Sequence, residues 1–343
     1  MLFAAGPVGR GRAIFPERMK FVRKFPRFGP ITTCSPMCVA LPTTAVCLTP
    51  EDIVREVKHL PSAPKVLPRL KRLLTDGNSA MQEIVALIRL DPGIAARVLQ
   101  VANSAYFSKG ERCTIVDDAV NRVGFDQIYE LVGYAVSSQV LVRPLDCYGI
   151  EADEVWKMSV SCALAAEALA KRTGLEGDVA YTIGLLHCVG MVAIDEWSLR
   201  SGQRLQLAFR GFPHEAVASE REVFGFTQAE VGGALMREWE FAPTMSEPVR
   251  HQYAPGASAV HSRLASLLVI AKWVRGIVCG HLAAGEMPAL PESAHLARLG
   301  LRTTVLAEVV FEVQQRIAEV SSLLEIESNV QVARHAFPAQ QWR

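Results

Sequence analysis

The sequence predicts an all-α protein, a compact irregular helical bundle with two helical lobes. Three observations lead there. Apolar residues recur at helical spacing through most of the chain from residue 49 onward. Helix-start signals, a Ser, Thr or Asp followed by Pro or by acids, precede several of these runs. No stretch alternates apolar and polar residues at strand period for any length, and no hairpin signal or internal repeat occurs. The pattern is that of an irregular bundle rather than a coiled coil.

Residues 1–48 stand apart. Arg10, Arg12, Arg18, Lys20, Arg23, Lys24 and Arg27 face one acid, Glu17, among recurrent Pro and Gly, with no helical period. The expectation is a disordered basic leader, or sequence ahead of a true start at Met19 or Met37. An organelle transit peptide and a nucleic-acid arm share this composition.

Order is expected from Thr49, a good N-cap, with Pro50 at the first helical position and Glu51 and Asp52 at the positive end of the dipole. That short helix runs to about Lys58, and the LPSAP run at 60–64 breaks it. A helix near 65–75 carries Val66, Leu67, Leu70, Leu73 and Leu74 and stops at Asp76 and Gly77. Asn78 or Ser79 caps the next, with Met81, Ile84, Val85 and Ile88 on one face. Asp91 before Pro92 opens a longer helix with Ile94, Ala95, Val98, Leu99 and Ala102 inward. Thr114 and Asp117 have capping-box spacing for a helix closed by Gly124, and Asp126 caps one to about Leu141.

The loop from Pro144 to Ile150 is the expected lobe boundary, dividing an N-terminal lobe at 49–143 from a second at 150–255. Helices are expected at about 152–172, 178–196, 213–223, 227–238, 244–253, 260–280 and 302–325. The part from 256 to 343 completes or flanks the bundle.

At 343 residues the chain can bury a sizeable core. A formal net charge of +1 gives no overall field for nucleic acid or anionic membrane. The eight cysteines form no C-x-x-C pair, and Cys162, Cys188 and Cys279 lie within apolar helical patterns. This is neither a zinc framework nor a secreted disulfide scaffold, so a reducing cytosol is expected. Apolar runs are broken by His187, by Lys272 and Arg275, or by glycine before reaching membrane-span length.

The run from Ala180 to Asp195 is almost unbroken apolar sequence around one histidine, His187. As a helix it is expected to be buried nearly all round. Its histidine is either a ligand or base, or a hydrogen-bonded core residue, and the choice turns on whether it has partners.

Six stretches carry a resemblance. They are LPSAP at 60–64, DPGIAAR at 91–97, VANSAYF at 101–107, IVDDAVNRVG at 115–124, IGLLHCVG at 183–190 and EVGGALMREW at 230–239. In this order they resemble the HDOD family, bacterial signalling relatives of HD-domain phosphohydrolases. The resemblance covers about Leu60 to Tyr253 and implies an HD-domain-like helical fold.

HD-type hydrolases hold a divalent metal with a histidine, a His-Asp pair and a later aspartate, because imidazole and carboxylate suit such ions and an open position activates water. Carried over by position, the first histidine is Met158, the His-Asp pair is His187 and Cys188, and the distal aspartate is Lys272. An accessory histidine is Gln228, and a following His-His pair is His251 and Gln252. Of the four core ligands only His187 remains. The expectation is therefore no catalytic residue, no metal and no cofactor, with His187 a core histidine and Cys188 a small buried hydrophobe.

The resemblance implies a non-catalytic regulatory module acting on signalling proteins of unknown identity. Neither membrane nor nucleic acid is an expected partner, the basic leader aside. Asn103, Tyr106 and Phe107 are the candidate interaction residues, against the alternative that they satisfy backbone and fill core. A second expectation is ligand sensing, of a nucleotide or cyclic dinucleotide, in a vestigial pocket lined by Met158, Cys188, Gln228, His251 and Lys272. There Lys272 meets a phosphate as a point charge or pairs with Glu222, against the alternative that it snorkels to solvent.

Overall fold

Thr49 begins the first helix as its residue type requires. In α1 (Pro50–Glu56) the Asp52 amide donates to the Thr49 hydroxyl, while the Asp52 carboxylate accepts from the Thr49 amide at 3.0 Å. The computed structural model describes residues 48–57, 80–108, 110–124, 144–282 and 288–323, with isolated positions between them. The basic leader, most of the expected 65–75 helix, and Asp126 with most of its helix to Leu141 lie outside the described residues.

Helix α2 (Met81–Arg89) has Ala80 at its N-cap with no side-chain bond; Asn78 and Ser79, the expected caps, lie outside the described residues. Helix α3 (Pro92–Asn103) starts as expected, with buried Asp91 accepting from the Ile94 amide at 2.9 Å. Helix α4 (Val116–Val123) corrects the reading of Thr114 and Asp117 as a capping box: the N-cap is Ile115, without a side-chain bond. Asp117 is engaged instead by Arg89 at 3.1 Å. Gly124 ends α4 at φ 87°, where a side chain would be strained.

The loop from Pro144 closes on itself through an isolated antiparallel bridge between Leu145 and Ile150. There follow α5 (Ala152–Thr173), α6 (Gly177–Leu186), α7 (Val189–Ser201), α8 (Val217–Phe224), α9 (Gln228–Glu238) and α10 (Pro243–Arg250). After a 3-10 turn at Pro255–Ala257 come α11 (Ser262–Val278), α12 (Ser293–Leu299) and α13 (Thr304–Leu323). Among the described residues there is no strand.

The helices depart from expectation at these points. The single helix expected at 178–196 is two helices. The His187 ring bonds to the Gly184 carbonyl at 2.7 Å, the acceptor that an unbroken helix would offer to the Cys188 amide. Helix α8 starts at Val217 rather than 213, because His214 at φ 70° and a bridge between Arg210 and Glu215 make 210–215 a turn. Helix α12 was not anticipated.

Buried apolar side chains from both sides of the 144–150 loop form one contiguous core. Each fully buried Leu, Ile or Val contributes about 1.5–3 kcal/mol, whereas an exposed pair such as Arg55–Asp52 contributes about 0–1 kcal/mol. Burial therefore dominates. Two glycines let the central helices close in. A Cβ on Gly184 would lie 2.7 Å from the Cys162 carbonyl on α5, and one on Gly190 would run into the Gln228 carbonyl at the start of α9. His187 and Cys188 sit between these two contacts. Among the described residues, the one segment long and apolar enough to cross a membrane is Gly177–Ser201, and it is mostly buried inside the protein.

Candidate functional site

His187 has partners, but they are not metal ligands. A carbonyl can only accept, so the contact with Gly184 puts the proton on Nδ1 and leaves the lone pair on Nε2. That lone pair faces Arg275 Nη1 at 2.9 Å. The guanidinium donates where a metal would have to bind. Burial, with Arg275 and Lys272 adding to it, drives the imidazole pKa down to about 3, so the ring is neutral.

Helix α11 supplies both cations. Lys272 and Arg275 are three residues apart and share a face. Arg275 Nη2 also donates to Glu215 Oε1 at 2.9 Å and to the Pro213 carbonyl at 2.9 Å. Lys272 Nζ lies 3.5 Å from the same carboxylate and 3.8 Å from the centre of the Tyr253 ring. Its side chain is only 4% exposed. It therefore neither snorkels nor pairs with Glu222; its partner is Glu215, delivered by the turn before α8. Burial lowers the Lys272 pKa to about 8 against the pull of Glu215. The two cations hold Glu215 down at about 2 despite the cost of its own burial.

The network continues away from His187. Tyr253 donates to Glu215 Oε2 at 2.8 Å and accepts from Gln228 Nε2 at 2.9 Å. The Gln228 backbone N–H donates to Glu220 Oε2 at 2.9 Å, and Tyr148 donates to Glu220 Oε1 at 2.8 Å. Burial raises Glu220 to about 7 against those two bonds. Gln252 Nε2 donates to the His187 carbonyl at 2.9 Å, which steadies the break between α6 and α7.

The residues singled out in the sequence divide. His187, Lys272 and Gln228 share this network. Met158 is buried on α5, and Cys188 turns to Ser159 Oγ at 3.0 Å. Burial pushes the Cys188 thiol pKa up, so it is not a thiolate at neutral pH. His251 does not join the lining: it is 23% exposed and meets Glu247 at 3.2 Å, while its neighbour Gln252 takes the inward position. Asn103 is not available to a partner. Its amide is buried and grips the Cys113 peptide from both sides, at 2.7 and 3.1 Å. Tyr106 is 87% exposed and packs edge-on against half-buried Phe107.

Sequence reasoning missed Arg275, Glu215, Glu220 and Tyr253. Arg275 carried a readable signal, a second cation one turn beyond Lys272 in an otherwise apolar helix. The residues present do not fit a divalent HD metal. Two of the four ligand positions are a thioether and a thiol, a third is a cation, and the surviving imidazole already accepts from a guanidinium.

Fold and centre together define an all-helical module built around a buried histidine that is paired with the protein's own cations. Residues 60–255, more than half of the chain, match the HDOD domain, and the chain belongs to the HDOD family. It is 27% identical over 244 residues to an uncharacterized protein of Treponema pallidum (strain Nichols), a match covering 69% of this chain and 46% of that one. The chain thus spans less than half the length of that relative. The fold is similar to the MmoQ response regulator from Methylococcus capsulatus str. Bath, with TM-score 0.57 and 20% identity over 74% of this chain and 98% of that one. A virulence factor from Campylobacter jejuni subsp. jejuni gives TM-score 0.54 and 17% identity over 82% and 93%.

Proposed function

We propose that this chain is a non-catalytic regulatory module of signal transduction, which holds a fixed conformation and acts by contact with another protein. One observation carries the reading. Arg275 occupies the imidazole lone pair of His187, with Lys272 beside it, so the centre is electrostatically complete without an ion. A hydrolase of this type needs an activated water at an open metal position, and none of the inherited positions Met158, His187, Cys188 and Lys272 is placed to offer one. The resemblance in fold to a protein described as a response regulator is in keeping with a signalling role.

The test is hydrolysis of cyclic dinucleotides and of a generic phosphodiester by the full chain with added manganese. No turnover above a His187→Gln control is expected. Turnover that this substitution abolishes would overturn the reading.

A second reading, sensing of a small anion at the same centre, has its own support. Lys272 and Arg275 share one close carboxylate, Glu215, while Glu220 holds its proton up to about pH 7. Arg275 Nε is buried with no hydrogen-bond partner. A rise in Tm with cyclic dinucleotide or inorganic phosphate, lost in Lys272→Met, would favour sensing over pure contact.

A further inference from the structure

We propose that Glu154, His214 and His281 form a binding site for a divalent transition metal, with zinc as its representative, beside the cation-filled centre. One side-chain ligand atom from each residue lies within 4.8 Å of the other two. Among the described residues this is the one cluster of its kind. It uses none of the inherited HD positions Met158, His187, Cys188 or Lys272, and the inference does not depend on the non-catalytic reading.

Three separate elements bring the ligands together. Glu154 is in the first turn of α5, His214 in the turn before α8, and His281 just beyond the end of α11. His281 Nε2 faces Glu154 Oε1 at 3.9 Å, and the two imidazole rings lie 4.4 Å apart. Donors around a tetrahedral zinc with bonds of about 2.0–2.2 Å are separated by about 3.3–3.6 Å. Closing the set takes a movement on the order of 1 Å, and the Glu154 side chain, 40% exposed, has room to approach His281.

Further features point to a ligand. His281 Nδ1 is buried and makes no hydrogen bond of normal geometry, although the Pro213 carbonyl lies beside the ring. A nearby carbonyl is the usual outer partner of a metal-bound imidazole. His214 holds φ 70°, a region that favours glycine, yet the position carries an imidazole stacked on Phe209 at 4.5 Å. Burial lowers the pKa of both histidines, that of His281 to about 3, so both rings are neutral and have a lone pair to give. Arg275 and Lys157 lie close enough to oppose a cation, but Arg275 is already paired with Glu215.

Two imidazoles and one carboxylate without thiolate suit zinc and its first-row neighbours better than calcium, magnesium or copper(I). An ion here would pin the 211–215 turn to α5 and α11. Glu215 is the next residue after His214, so occupancy would also fix the carboxylate that neutralises Lys272 and Arg275.

The experiment uses the full chain with Cys34, Cys38 and Cys47 changed to Ser, and Zn2+ alone as probe against a chromophoric chelator. One equivalent is expected. Affinity should fall at least about 100-fold in His281→Ala and at least about tenfold in Glu154→Gln, and stay unchanged in His187→Gln. Should His281→Ala not fold, Glu154→Gln keeps the test open, since that side chain is well exposed. Co2+ substitution should give ligand-field bands without a thiolate charge-transfer band. Uptake below one equivalent, uptake insensitive to Glu154 and His281, loss in His187→Gln, or a thiolate band would each overturn the site.

Discussion

Arg275 and His187 meet across the core at 2.9 Å, the guanidinium donating and the imidazole accepting. The contact requires a neutral ring protonated on Nδ1. It joins α11 to the break between α6 and α7, and it draws in Glu215 because a buried guanidinium needs a counter-charge.

Glu215 is therefore the residue whose loss the centre tolerates least. Glu215→Gln leaves Lys272 and Arg275 facing each other with reduced compensation. Urea unfolding should show a loss of about 3–5 kcal/mol. Lys272→Met should behave oppositely and leave stability unchanged or raised, since Arg275 keeps Glu215 paired and a desolvated ammonium is gone. Equal losses in the two variants would contradict this assignment of roles.

The pH profile follows from the same groups. His187, held near 3 against an ordinary 6.5, is charged only in the unfolded chain between those values, so its contribution is full above about 6.5 and is lost as pH falls toward 3. Glu215, held near 2 against 4.5, contributes stability above about 4.5 that is lost as pH falls toward 2. Glu220, raised to about 7, works the other way: the fold binds its proton more tightly, so stability falls as pH rises from 4.5 to 7. Between about 4.5 and 6.5 the Glu220 trend opposes those of His187 and of His281, which burial also holds near 3. Stability should therefore rise with pH there, with a steeper fall below about 4.5. In Glu220→Gln the rise should steepen, checked by unfolding midpoints across pH 4–8.

The glycines around the centre make a steric prediction. Gly190→Ala sets a methyl against the Gln228 carbonyl and the Gly232 amide, both backbone and neither able to swing aside. Its cost should exceed the roughly 1–3 kcal/mol usual for overpacking. Gly184→Ala, with contacts of 2.7–3.0 Å to Cys162 and Ala163, should fall nearer that range. Thermal melts of the two variants check the order.

Asn103 and Tyr106 should separate cleanly. Asn103→Ala strands the amide and carbonyl of Cys113 in the core, each at about 1–3 kcal/mol. Tyr106→Ala removes an exposed ring and should stay within about 0.5 kcal/mol of the parent. A loss of signalling output in Tyr106→Ala at unchanged Tm would place the partner contact there.

Features set by neighbours in the chain were legible in the sequence. Thr49, Asp91 and Gly124 act within three or four residues of themselves, and they start or end helices as expected. The fold was legible because whole phrases such as VANSAYF and IGLLHCVG carry it. The centre was only half legible. The absence of three ligands could be read by position, but what replaced them could not, because Arg275 reaches His187 across 88 residues of chain. The partner of Lys272 is Glu215 rather than Glu222, because the turn at 210–215 carries Glu215 inward while Glu222 is exposed on α8. Thr114 and Asp117 failed as a box because Arg89, remote in sequence, claims the carboxylate.

The end of α2 shows a different kind of dependence. Its Arg89 carbonyl accepts from Tyr181 on α6, and the following Leu90 carbonyl accepts from Trp156 on α5, both at 2.9 Å. Acceptors and donors thus lie on opposite sides of the 144–150 loop. A genetic exchange that joined the first half of this chain to the second half of a distant relative would have to bring matching aromatics with it. The two halves are expected to travel through recombination as one cassette, diverging together rather than being shuffled separately.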